Sequence, residues 1–286
     1  MGKILIGVDG SPASRRAAHY AAQLASALGD RAIVAFVNPP LAAVGPDTVI
    51  PQTWADQLRR QGKEVLRQAA DSSAWSVPPD QQLLEGPVAE TLARFANEAG
   101  VEIIVVGRRG HGQLAGLLGS AADRLMQIAG KPVLLVPCEE SGAPGETSTR
   151  IRTVVVGIDG SPEARKALAL AKSIAGRVHA SLILVHAVAP PAIPAGYLPG
   201  LGWWERAAMA WGEQLARQEA AHLEAPCETV VRMQRPSVLL ASVAEERDAD
   251  LIVVGHRGLT AVNRLWLGNV AAEVLRGARR PVLVSR

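Results

Sequence analysis

The chain has 286 residues, 48% hydrophobic and 20% charged, a length that fits two ordinary domains and a composition that excludes disordered and fibrous classes. Its net charge of +3 divides as −2 over residues 1–149 (13 basic, 15 acidic) and +5 over the remainder (17 basic, 12 acidic), with no Lys/Arg stripe such as a nucleic-acid binder carries. No apolar run approaches the ~20 residues of a membrane span, MGKILIGVDG lacks signal-peptide organisation, and Cys138 and Cys227 sit in no paired motif, so a cytoplasmic protein without a disulfide framework or thiolate metal site is expected.

Short β-branched runs alternate with longer segments of helical period, which predicts an α/β fold: an open parallel sheet with helices on both faces. In chain order the pattern gives a strand at Lys3–Val8, a helix at Pro12–Leu28, a strand at Ala32–Val37, a helix at Gln52–Ser73 and a strand at Gln81–Leu84. A helix at Val88–Ala99, a strand at Glu102–Val106, a helix at Ser120–Ala129 and a strand at Val133–Val136 complete the first half. The second half repeats the scheme, with strands at Thr153–Ile158, Ser181–His186, Glu228–Arg232, Leu251–Val254 and Val282–Val284.

The repetition is literal in places. KILIGVDGSPASRRA (3–17) aligns without a gap to TVVVGIDGSPEARKA (153–167), VVGRRG (105–110) answers VVGHRG (253–258), and KPVLLVP (131–137) answers RPVLVSR (280–286). Anchors in the same order make a tandem duplication. Residues 139–149, rich in Gly, Ser, Thr and Pro, read as a linker between domains at 1–138 and 150–286.

In such sheets ligands sit at the carboxyl ends of strands, so residues following a strand are site candidates. Gly7-Val8-Asp9-Gly10-Ser11-Pro12 and Gly157-Ile158-Asp159-Gly160-Ser161-Pro162 each end on a helix N-cap serine and a first-turn proline. Asp9 and Asp159 are open to two roles, making the turn or pointing a carboxylate into the crevice. Further on, Val106-Gly107 and Val254-Gly255 close a buried strand; Gly110 and Gly258 follow after two residues each, and Gly119-Ser120-Ala121 and Gly268-Asn269-Val270 open a helix. Glycine lets a phosphate approach backbone N–H groups, and a helix N-terminus favours an anion. No G-x-x-x-x-G-K-[ST], G-x-G-x-x-G after the first strand, H-E-x-x-H or G-x-S-x-G is present, which sets aside P-loop, dinucleotide, zincin and serine-hydrolase readings.

With these residues in place, each half resembles the universal stress protein family, whose ATP-binding members carry G-x2-G-x9-G-[ST] after the fourth strand. Gly255, Gly258 and Gly268 have that spacing but are followed by Asn269, whereas Gly107, Gly110 and Gly119 are followed by Ser120 but span one residue fewer. The resemblance implies Rossmann-like five-stranded domains of order 3-2-1-4-5, ATP as cofactor and Mg²⁺ on its phosphates. It places adenine near Asp9 or Asp159 and near Val37 or Ala187, with ribose and phosphates over the glycines. The expected binding set is Gly7, Asp9, Val37, Val106, Gly107, Arg109, Gly110, Gly119, Ser120 and Ala121 in the first half. In the second half it is Gly157, Asp159, Ala187, Val254, Gly255, Arg257, Gly258, Gly268, Asn269 and Val270, with Asn269 at the helix cap. Pairing through fifth strands, between the halves or in a homodimer, is implied as well.

Other residues read as background. The histidines share no metal-ligand spacing; His111 and His256 are expected in solvated loops, and Arg108 is expected to point to solvent. Trp203, Trp204 and Trp211 fall on one predicted helix and read as core ahead of partner surface; neighbours ~100° apart cannot both face inward, so one of Trp203 and Trp204 is open to a protein contact. Trp266, close to Gly268, reads as a lid or as packing. No general base, nucleophile or metal cluster stands beside the proposed phosphates, so a regulatory nucleotide-binding module is expected ahead of an ATP hydrolase, a nucleotidyl-transferring enzyme or a nucleotide-free scaffold.

Overall fold

The computed structural model describes residues 1–38, 52–72, 75–109, 118–137, 150–189, 202–223, 226–258 and 267–286. The chain divides into two compact units, Met1–Arg150 and Ile151–Arg286.

In the first unit the alternating pattern becomes β1 (Lys3–Gly7), α1 (Pro12–Leu28), β2 (Arg31–Asn38), α2 (Gln52–Ser72), β3 (Asp80–Glu85), α3 (Val88–Glu98), β4 (Ile103–Gly107), α4 (Ser120–Ile128) and β5 (Val133–Val136). All pairings within it are parallel and give the order 3-2-1-4-5. The second unit comprises β6 (Thr153–Gly157), α5 (Pro162–Val178), β7 (Ser181–Val188), α6 (Gly202–Ala221), β8 (Cys227–Met233), α7 (Pro236–Glu246), β9 (Leu251–Gly255), α8 (Asn269–Gly277) and β10 (Val282–Ser285). Its order is 8-7-6-9-10, the same topology. The expected parallel α/β architecture is therefore the observed one.

The central strands show why the pattern works. Ile4, Leu5 and Ile6 of β1, Ile104 and Val105 of β4, and Val154, Val155 and Val156 of β6 are all fully buried, because helices cover both faces of a parallel sheet. The edge strand β3, DQQLLE, is exposed or half-buried along its length. One helix layer holds α1 and α2, and α3 packs on α4 in the other; α7 and α8 pack together in the same way in the second unit. This follows from right-handed crossovers that change direction at β1 and β6.

Both first helices are capped as the sequence implies. Ser14 N donates to Ser11 Oγ at 3.1 Å and Ala164 N to Ser161 Oγ at 3.1 Å, each serine preceding a first-turn proline. At the other ends the copies differ. Gly29 takes the left-handed conformation after α1, whereas His179 takes it after α5 with φ 56°.

Candidate functional site

The β1–β4 and β6–β9 pairs are where each chain path reverses direction across its sheet, so a crevice opens beyond their carboxyl ends. In the second unit that crevice is a cavity of about 690 Å³, within the ~300–1,000 Å³ typical of small-molecule sites. Every second-unit residue expected from the sequence lines it: Gly157, Asp159, Ala187, Val254, Gly255, Arg257, Gly258, Gly268, Asn269 and Val270.

Asp159 carries both of the roles left open. Its Oδ1 accepts a hydrogen bond from Ser161 N at 2.9 Å and shapes the turn before α5. Its Oδ2 faces Gly258, where an added Cβ would stand 2.5 Å away. In the first unit Asp9 Oδ1 likewise accepts from Ser11 N at 2.9 Å.

The glycines do different jobs. At Gly255 a Cβ would lie 2.9 Å from the carbonyl carbon of Glu163 and 2.9 Å from Arg257 O. At Gly107 it would lie 2.8 Å from the carbonyl carbon of Ala13. These two let the first turn of α5 or α1 settle on the strand end, so a helix, rather than only a ligand, occupies the space of the missing side chain. Gly268 N donates to His256 O at 2.8 Å and Gly119 N to Arg108 O at 2.9 Å, pinning each helix start beside its strand.

Gly268 and Gly119 are themselves the N-caps of α8 and α4, with no side-chain cap bond. Asn269 and Ser120 are thus the first helical residues, exposed, which corrects the expectation of Asn269 as the cap. The consequence favours an anion: a glycine cap contributes no oxygen to the first-turn N–H groups, and the dipole's positive end faces the cavity. Ala121 and Val270 follow in the same exposed turns.

Two readings of loop residues change. His256 is 4% exposed and its Nδ1 accepts from Arg257 Nε at 3.1 Å, so it is a buried support for a cavity-lining arginine and not a solvated histidine. Arg108 is half-buried, as is Arg109. Burial, with a contribution from the Arg257 charge, lowers the Arg286 guanidinium to about 10. The expected first-unit positions Gly7, Val37, Val106 and Gly107 all lie at the carboxyl ends of β1, β2 and β4. Gly110, His111, Trp266, Cys138 and the proposed linker lie outside the described residues.

Two of the three tryptophans of α6 overturn the core reading, while Trp204 is half-buried. Trp203 is 67% and Trp211 53% exposed, and Trp211 lines the cavity. Its ring meets His186 edge-on, with centroids 5.3 Å apart and an interplanar angle of 67°. His186, on β7, was missed by motif reasoning, as were Leu240 and Pro236 of α7. Alignment of the copies at the offset of 150 residues held the signal, for His186 and Trp211 stand where Phe36 and Gln61 stand in the first half. Among the described residues no group of three or more His, Cys, Asp or Glu could hold a metal ion, and no helix is long and apolar enough to cross a membrane.

The sequence model of the Universal stress protein family matches residues 1–137 and again 150–286. The chain belongs to the universal stress protein family. Among relatives of this family, Universal stress protein Rv2005c of Mycobacterium tuberculosis is 33% identical over 294 residues, 99% of this chain and 96% of that one. Universal stress protein Rv1996 of the same organism is 30% identical over 315 residues, 99% of this chain and 94% of that one. Among solved structures, a universal stress protein from Archaeoglobus fulgidus superposes with a TM-score of 0.66 at 20% identity, covering 99% of this chain and 98% of that one, a likeness of fold.

Proposed function

We propose that the second unit binds an adenine nucleotide, ATP with Mg²⁺ held by its phosphates, and that the protein acts as a nucleotide-dependent regulatory module of the cytoplasm. The supporting observation is one cavity whose lining combines two chemically different groups of residues. One group comprises the uncapped start of α8, Gly258 and Arg257, donors suited to phosphate oxygens. The other is apolar, Ile158, Val185, Val254 and Leu240, and suits a base.

Regulation by the nucleotide requires different affinities in two conformational or assembly states. Homodimer formation is part of this proposal, and sedimentation with and without Mg-ATP reads it directly. The deciding measurement is the identity and number of nucleotides released on denaturing freshly purified protein, with Mg-ATP titration of any empty sample. Intact ATP at one or two per chain supports the binding module. Recovered ADP moves the reading toward hydrolysis, and protein that neither carries nor binds nucleotide leaves an interaction scaffold.

A further inference from the structure

The two units build the same receptacle for a ring on their second strand. In the first, Phe36 of β2 faces Gly62 of α2, where a Cβ would stand 2.8 Å from the ring; in the second, His186 of β7 faces Gly212 of α6 at a corresponding 2.7 Å. Shape alone is satisfied by Phe in one copy, so the polar ring in the other calls for a further reason. His186 is 5% exposed, and its Nδ1 lies 2.9 Å from Ile158 O. A carbonyl can only accept, so Nδ1 carries the hydrogen, and in that tautomer Nε2 is a lone-pair acceptor. No donor from the described residues reaches Nε2, and the atom is not sealed from solvent, so an open acceptor stands at the cavity wall. Beside it stands Trp211, more than half exposed and lining the same cavity, with its ring braced against the His186 edge.

Resting on the nucleotide-binding reading above, we propose that Trp211 and His186 form the base-reading wall of the second unit: the base stacks on Trp211, and His186 Nε2 accepts a hydrogen bond from its exocyclic amine. The wall selects a 6-aminopurine over a 6-oxopurine, whose oxygen at that position would set acceptor against acceptor. The first unit, with Phe36 and Gln61 at these positions, has no such reader.

The test uses the full chain and compares ATP, ITP and inorganic tripolyphosphate. The change in tryptophan emission that Trp211→Phe removes reports on the second unit alone. Wild type is expected to favour ATP over ITP roughly tenfold, the scale of one satisfied against one unpaired polar group. In His186→Phe that preference disappears while tripolyphosphate binds as before; the first unit already shows that Phe fits over the helix glycine. Trp211→Leu, which lacks the emitting ring and is followed by calorimetric titration beside wild type, weakens ATP and ITP alike by about tenfold, the scale of a lost stacked base, and spares tripolyphosphate. Equal binding of ATP and ITP to wild type, or an unchanged preference in His186→Phe, overturns this wall while leaving the nucleotide reading intact. Failure of wild type to bind any nucleotide overturns both.

Discussion

At the scale of single residues, two glycines three positions apart separate folding from binding. An alanine Cβ at Gly255 would press on the backbone of Glu163 and Arg257, neither of which can swing aside. Gly255→Ala is expected to cost about 1–3 kcal/mol, the range for overpacking, seen as a lowered thermal midpoint. At Gly258, among the described residues, the Cβ meets the tip of the Asp159 carboxylate, a side chain that can shift by straining its bond from Ser161 N. Gly258→Ala should lower the midpoint less than Gly255→Ala does and weaken nucleotide binding in the second unit; calorimetric titration beside thermal melting distinguishes the two variants. His179 offers the opposite case, an exposed non-glycine residue held at φ 56° where the first unit uses Gly29. His179→Gly relieves that strain, against a smaller gain in unfolded-chain entropy, and should raise stability by up to about 1 kcal/mol in denaturant melts.

Between elements, α7 and α8 are joined by a polar clamp over their packed faces. Ser237 Oγ donates to Glu273 Oε2 at 2.5 Å, and Arg235 Nη2 lies 3.3 Å from the same carboxylate. The Ser237 hydrogen bond first, then the charges of Arg235 and Arg276, hold the Glu273 carboxyl below its ordinary value. The sign follows from linkage: a depressed carboxylate contributes stability above its unfolded pKa of ~4.3, and the contribution is lost as pH falls through the lower folded value. Glu273→Gln keeps an acceptor for Ser237 but loses the charge, and should therefore melt below wild type at pH 7 by about 0.5 kcal/mol, a small effect because the side chain is partly exposed and screened, with the difference closing in acid below about pH 4. A gap that persisted to pH 2.5 would assign the clamp to packing instead. Element boundaries read from periodicity fell within two residues of those observed, as at β7, predicted to end at His186 and ending at Val188. The extra residues are pairing partners of β8, and pairing is a property of the neighbouring strand, invisible in the run itself.

For the whole molecule, duplication produced two like folds with unlike sites. The first unit keeps Ser120 in the first turn of α4, whereas the second combines Asn269 with the full-length glycine spacing, His186 and Trp211. If the second unit carries the higher affinity, nucleotide released from purified protein should approach one per chain and fall to near zero in Gly258→Ala. Two per chain, unaffected by that substitution, would place the stronger site in the first unit.

The sequence by itself determined the parallel α/β architecture, the duplication and the residues at the strand ends, because period, capping chemistry and repeated motifs are local properties written along the chain. It also named the glycines of the cavity. The tertiary structure alone decided what each one faces: a helix backbone at Gly255, a carboxylate at Gly258. It decided as well that Trp211 lines a cavity rather than a core, and that His256 is buried. An amphipathic helix pattern records that an aromatic recurs on a face but not what stands opposite. That depends on β7 and α6 meeting at the second unit's cavity, which no window of neighbouring residues encodes.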